Sequence, residues 1–232
     1  MARTGDTQMI ICVNCGSDLT TTIRLDSEDI VVCHDCGYGR PSLRDPIQYD
    51  DDYEKKYLAY DEKSICGIRL LFVSRAKQFL DRSFYQILDY GCGSGAFVKA
   101  ARDDGYEAYG YDVNDYTEDL RPPEGFEPGI VTAWDSFEHL TDEQQVEFFK
   151  SAKSANIIIV SVPNFQAPQK DESLKEWRHY RPREHLHYYT VKSLCFRFER
   201  EGYKFAFTAY DEDNIRKAPW NNNILTVGFT KG

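Results

Sequence analysis

A chain of 232 residues carrying a net charge of −10 is long enough for one α/β domain with a small appendage. Its acidity, with an isoelectric point near 5.0, weighs against the broad basic footprint of a nucleic-acid binder, although it leaves room for a local basic patch. No run approaches the roughly 18 apolar residues that span a bilayer, and the first residues lack the apolar core of a signal peptide. The expected setting is therefore a reducing cytoplasm, with no membrane partner.

Residues 1–8 read as a disordered leader. Cys12-x-x-Cys15 and Cys33-x-x-Cys36 follow, seventeen residues apart and each closed by a glycine, Gly16 and Gly37. The spacing fits the C-x₂-C…C-x₂-C zinc pattern. Four thiolates fill a tetrahedral shell and leave no open position, so the expected role is structural. Disulfides are rare in the cytosol; an iron centre on the same thiolates, or a redox role for one pair, are the competing readings. Strands are expected at Thr20 to Leu25 and Ile30 to Val32, giving a zinc ribbon over residues 9–40. A connector rich in Asp and Tyr, with Tyr49, Tyr53, Tyr57 and Tyr60, covers 41–62.

The remaining chain, 63–232, alternates strands and helices. A helical stripe is expected over Ser64 to Leu80, from Ile65, Ile68, Leu71, Phe72, Ala76 and Phe79. A strand at Gln86 to Asp89 then runs into Gly91-Cys92-Gly93-Ser94-Gly95, where glycines let the backbone turn tightly and approach a ligand. A helix at Ala96 to Asp104 aims free N–H groups into the same crevice, and a strand at Ala108 to Asp112 ends on an acid suited to ribose hydroxyls. Ile130 to Trp134 is the next strand, Asp142 to Ala152 a helix, and Ile157 to Val162 a β-branched run suited to a central strand. Val191 to Glu201 reads as a helix. Tyr203 to Tyr210 and Ile224 to Thr230 are strands joined by a polar loop. The expected fold is α/β, a Rossmann-like, mostly parallel sheet with a C-terminal antiparallel hairpin.

The glycine loop formally satisfies the dinucleotide fingerprint through Gly91, Gly93 and Ala96. Asp89 argues the other way, because a carboxylate suits a cationic amino group better than a pyrophosphate. Here Leu88-Asp89-Tyr90-Gly91-Cys92-Gly93-Ser94-Gly95 resembles the first motif of the class I S-adenosylmethionine (SAM)-dependent methyltransferases, and Asp112 resembles their ribose-binding acid. The order of two C-x-x-C-G knuckles, Pro41, a tyrosine-rich connector, a helix and the SAM loop is similar to zinc-ribbon methyltransferases. Trp134-Asp135-Ser136-Phe137-Glu138-His139-Leu140 resembles the family's acidic motif after the fourth strand, and His185-Leu186-His187-Tyr188-Tyr189-Thr190 its late segment near the acceptor. The resemblance implies SAM contacts from Asp89, Tyr90, Gly91, Cys92, Gly93, Gly95, Asp112 and Val113. Between Asp112 and Ile130 the family's third strand is missing or reduced, so adenine recognition falls to Trp134, Asp135 or the backbone near Asn114.

Methyl transfer to a neutral oxygen or acidic carbon needs a base, and histidine is the usual choice near neutral pH. His34 lies in a knuckle and is expected to be exposed. The order of preference is His187, then His139, then His185, each weighed against a structural histidine. Arg178, Arg181 and Arg183 could grip a phosphorylated or carboxylated acceptor, or simply pair with surface acids. The leading expectation is methyl transfer to a small-molecule, sugar-nucleotide or glycan acceptor. The alternatives are a methyltransferase for nucleic acid or protein that docks through the ribbon, and a non-catalytic SAM-binding or partner-binding protein.

Overall fold

The computed structural model describes residues 10–25, 27–42, 45–47, 62–79, 85–113, 119–166, 174–216 and 223–232. The leader, most of the connector with its four tyrosines, and Asn114 lie outside these residues. Three short strands, β1 (Thr20–Arg24), β2 (Asp29–Cys33) and β3 (Gly39–Pro41), form an antiparallel sheet around the cysteine knuckles. β3 was not expected from the sequence, because three residues carry too little pattern for periodicity to register.

The main sheet contains six strands: β4 (Gln86–Tyr90), β5 (Glu107–Tyr111), β6 (Ile130–Trp134), β7 (Ile157–Pro163), β8 (Tyr203–Ala209) and β9 (Ile224–Lys231). They are ordered β5-β4-β6-β7-β9-β8. The first four run parallel, while β9 is antiparallel to both β7 and β8. Among the described residues the sheet ends at β5. Every residue of β6 and β7 is buried, as a strand covered on both faces requires.

Helices α1 (Glu62–Lys77) and α2 (Ala96–Asp103) cover one face, and α3 (Asp142–Ser151) and α4 (Val191–Glu199) cover the other. The buried stripe of α1 is Ile65, Cys66, Phe72, Val73 and Ala76, whereas Leu71 is 67 % exposed and Phe79 51 %. The stripe is therefore rotated from the expected one. A short α5 (Glu212–Arg216) interrupts what reads as a polar loop. On the α3/α4 face, Phe198 stacks on Phe229 at 4.3 Å, and Phe137 meets Phe148 at 5.1 Å and Phe198 at 5.2 Å. Such ring pairs each contribute about 0.5–1.5 kcal/mol beyond the apolar area they bury.

The small sheet does not stand apart. Cys12, Cys33, Cys36 and Tyr38 share one buried cluster with Phe137, Tyr189, Leu194 and Phe198. Thr190, the N-cap of α4, donates from Oγ1 to the Cys36 carbonyl at 2.7 Å, and Asn14 Nδ2 donates to the Ser193 carbonyl at 2.9 Å. β3 exchanges backbone hydrogen bonds with the late segment, Gly39 N to Tyr188 O and Tyr188 N to Gly39 O, both 2.9 Å. A Cβ on Gly39 would lie 2.7 Å from the Phe165 ring, so only glycine permits this approach. No helix among the described residues is long and apolar enough to cross a membrane.

Candidate functional site

The strap His185–Thr190 lies between three elements. On one side it pairs with β3. On another, the Leu186 and His187 amides donate to the Glu138 carbonyl at 2.9 and 3.2 Å, and Phe165 N donates to Tyr189 O at 2.9 Å just past β7. The ribbon, the turn after β6 and the end of β7 are thus tied together at the C-terminal edge of the parallel strands, where α/β folds bind their ligands.

The glycine loop opens at the same edge. Gly91, Gly93 and Gly95 all have positive φ, at 78°, 51° and 73°. A Cβ on Gly91 would meet Ser136 Cβ at 2.4 Å, whereas one on Gly93 would meet nothing within 4 Å. Gly91 is therefore clamped against the β6 turn, and Gly93 faces open space. Asp112 sits beside the loop and accepts from Gly93 N at 2.9 Å. Asp89 is buried under it, accepting from Thr132 Oγ1 at 2.7 Å. Burial pushes the Asp89 carboxyl up to about 7, while Thr132 and the Arg69 charge act in the opposite direction.

The other residues that the sequence ties to the cofactor sit as follows. The Tyr90 ring points to the opposite face of β4, against Tyr111 and Phe148 at 4.8 and 5.2 Å. Cys92 turns its side chain inward over Gly110, where an added Cβ would lie 2.5 Å from Sγ. Val113 is exposed. Trp134 is buried between Phe72 and Phe97 with the Arg69 guanidinium 5.0 Å above its ring, and its Nε1 has no hydrogen-bond partner.

Asp135, with φ 51°, joins a partly buried ion cluster. Arg69 Nη2 binds it at 2.8 Å, Arg216 Nη2 binds it too, and both arginines also reach Glu212. Ser161 Oγ adds a hydrogen bond to Glu212 at 2.9 Å. Burial alone would raise the Asp135 carboxyl, but Arg216 and Arg69 hold it below the ordinary range. Arg69, Glu212 and Arg216 escaped the sequence reading, because Arg69 and Arg216 meet Asp135 across 66 and 81 positions of chain, and such pairings leave no local pattern.

The histidines divide into two groups. His187 is enclosed by protein on both sides of its ring: Nε2 donates to the Leu140 carbonyl at 2.9 Å, and Nδ1 accepts from the Tyr38 hydroxyl at 2.5 Å. His139 donates from Nδ1 to the Glu184 carbonyl at 2.9 Å, which turns Nε2 toward Glu138 Oε1 at 3.7 Å. Its ring lies 4.8 Å from that of His185. Burial keeps both rings neutral, lowering His139 and lowering His185 well below the ordinary range. Glu138 is 2 % exposed, and burial followed by the Asp135 charge pushes it well up. His34 is exposed and bonded to Thr21. Arg181 pairs with Glu184 at 2.7 Å, and Arg183 donates to the Asp45 carbonyl at 3.1 Å.

Cys12, Cys15, Cys33 and Cys36 bring their sulfurs within 4.8 Å of one another. The Cys12–Cys36 and Cys15–Cys33 separations are 3.7 and 3.5 Å. Metal–sulfur bonds near 2.3 Å arranged tetrahedrally require sulfurs ~3.8 Å apart, so the set fits a four-thiolate metal shell.

Residues 57–206 match a family described as "Methyltransferase domain". The fold is shared with solved structures at low sequence identity. A SAM-dependent methyltransferase from Archaeoglobus fulgidus is 18 % identical with a TM-score of 0.54, covering 79 % of this chain and all (100 %) of its own. Magnesium protoporphyrin IX methyltransferase (ChlM) from Synechocystis PCC 6803 is 14 % identical with a TM-score of 0.50, covering 80 % of this chain and 90 % of its own. A SAM-dependent methyltransferase from Clostridium acetobutylicum is 11 % identical with a TM-score of 0.51, covering 78 % and 96 %. Among curated proteins, none matches this sequence. A glycine loop clamped at Gly91, an acid on the second strand, and a family match across most of the sheet lead to one conclusion: the chain belongs to the methyltransferase-domain family and is a SAM-dependent methyltransferase.

Proposed function

We propose that this enzyme methylates a small-molecule, sugar-nucleotide or glycan acceptor, with SAM held by the Gly91–Gly95 loop and a structural zinc ion held by the four cysteines. When bound, SAM supplies a methyl group activated on a sulfonium, and the protein's part is orientation and exclusion of water. The Gly93 amide and Asp112 carboxylate form one wall for the ribose, and Asp89 offers negative charge to the ammonium end. The acceptor is assigned to the space before His139 and His185. His187, with both ring nitrogens engaged by Tyr38 and Leu140, is assigned a positioning role for the strap.

The observation that carries this reading is the Gly93 N to Asp112 bond at 2.9 Å beside a loop position open to any ligand. Calorimetric titration tests it. Asp112→Ala removes a charged hydrogen-bond acceptor worth about 1.5–3 kcal/mol, so affinity for SAM and S-adenosylhomocysteine should fall roughly 10- to 150-fold. NAD should not bind the unaltered protein. Equal binding of SAM by the variant, or a preference for NAD, sinks the assignment.

Asp89 adds a pH dependence. Its carboxyl titrates near 7 in the folded chain against about 3.9 unfolded, so between those values the folded state holds the extra proton. This group's contribution to stability is therefore full below the unfolded value and lost as pH rises toward 7. A bound ammonium favours the ionised form, so SAM affinity should climb up to about tenfold per pH unit and level off above about 7. Asp89→Asn should flatten that slope; a slope that persists in the variant assigns the titration to another group.

The ribbon's continuity with the strap favours support of the acceptor site over an independent docking module, since Gly39 and Tyr188 are hydrogen-bonded to each other in both directions.

A further inference from the structure

We propose that Glu138, His139 and His185 form a second metal centre, for one divalent ion of the Mn2+ to Zn2+ series, with an open position that takes a hydroxyl of the acceptor. One ligating atom from each of the three side chains lies within 4.8 Å of the other two. They come from two segments, the turn after β6 and the strap, which the Leu186 and His187 amides pin together through the Glu138 carbonyl. The ligand carriers are therefore held in place by backbone bonds that need no ion.

Two side-chain atoms in this group are suited to a shared cation. Glu138 Oε2 and His185 Nδ1 are buried and have no hydrogen-bond partner, and their residues are only 2 % and 3 % exposed. A buried polar atom left without a partner keeps its desolvation penalty uncompensated. Both are electron-pair donors, so one cation satisfies them together. His139 is oriented for the same task, since its Nδ1 bond to the Glu184 carbonyl turns Nε2 toward Glu138 Oε1. That outer carbonyl is the kind of partner a metal-bound histidine keeps.

Two imidazoles and one carboxylate suit borderline divalent ions, and three protein ligands leave positions for water or substrate. The four-sulfur shell is the contrasting case, closed and structural. Ser136, two residues before Glu138, is the residue clamped on Gly91 of the SAM loop, so the open position lies near the cofactor. Resting on the SAM-dependent reading, the step is O-methylation. Coordination to the cation would lower the pKa of the acceptor hydroxyl, which gives its proton to solvent. Its oxygen then forms a bond to the methyl carbon while the C–S bond breaks, and S-adenosylhomocysteine leaves with the sulfonium's electron pair. The products are the methyl ether, S-adenosylhomocysteine and one proton.

The test is titration of Mn2+ into the zinc-replete protein, followed by calorimetry and by electron spin resonance of the bound ion. Mn2+ ranks below Zn2+ for thiolate sites, so the cysteines do not compete. The expected result is one equivalent bound, with echo modulation from imidazole nitrogen, and an affinity at least tenfold weaker in Glu138→Gln and in His185→Ala. SAM binding by Glu138→Gln shows that the variant is folded. No Mn2+ binding by the unaltered protein, binding without nitrogen modulation, or binding indifferent to both substitutions overturns the centre and leaves a proton shared between Glu138 and His139. Metal binding without SAM binding removes the methyl-transfer reading and keeps the centre. SAM binding without metal does the reverse.

Discussion

Removing the metal proposed for the four cysteines, or substituting Cys36→Ser, is expected to unfold the catalytic sheet together with the ribbon in a single transition. The reason is placement: Cys12, Cys33 and Cys36 are core residues packed in the same cluster as Leu194, Phe198 and Tyr189. Cys36 is 1 % exposed, and its carbonyl accepts the Thr190 hydroxyl that caps α4. Without a metal, burial pushes the Cys36 thiol above its ordinary range, because a thiolate there would lack compensation. Structural zinc contributes about 10–16 kcal/mol to isolated fingers, so a loss of at least about 4 kcal/mol is a conservative expectation here. For a chain of this size that corresponds to a fall in Tm of roughly 10 °C. Differential scanning calorimetry with and without a chelator checks it. Two separate transitions, with the larger unmoved, would show that the ribbon is an independent module.

The second large effect is expected at Gly91. Gly91→Ala places a Cβ 2.4 Å from Ser136 Cβ and 2.8 Å from its Oγ, at a φ of 78°. Ser136 cannot easily turn away, since its hydroxyl donates to the Tyr90 carbonyl at 2.8 Å. The left-handed backbone costs about 1–2 kcal/mol for alanine, and the overlap adds about 1–3 kcal/mol. Displacing the β6 turn also disturbs the loop, so SAM affinity should drop by about 100-fold or more, equivalent to ~2.8 kcal/mol. Adding Ser136→Gly removes the overlap and should restore part of the stability while the backbone cost persists. Gly93→Ala is the informative contrast: its Cβ meets nothing within 4 Å, so the unliganded protein should lose only the left-handed cost. Equal destabilisation by the two single substitutions, read from thermal unfolding, would contradict this account of the loop.

Much of the scaffold follows from local pattern. β6 runs from Ile130 to Trp134, as its apolar run and flanking Gly129 and Asp135 indicate, and β7 matches its β-branched stretch to within one residue. The C-x-x-C-G knuckles and the glycine loop are also local, since spacing and backbone freedom are properties of adjacent residues. The same is true of the capping box at Thr141, where Gln144 returns the hydrogen bond to the backbone.

What only the tertiary structure decides is which of these residues meet. The sequence ranks His187 first as a base, yet Tyr38, 149 positions away, and the Leu140 carbonyl engage both its nitrogens. Glu138 and His185 become neighbours only because β6 is followed by a turn whose carbonyl captures the strap. Arg69 and Arg216 converge on Asp135 because α1 and α5 lie at one end of β6 and β7. Local periodicity reports which side of an element faces inward. The pairing of distant side chains depends on strand order and crossover, which no single segment encodes, and the chemistry of this site is built from those pairings.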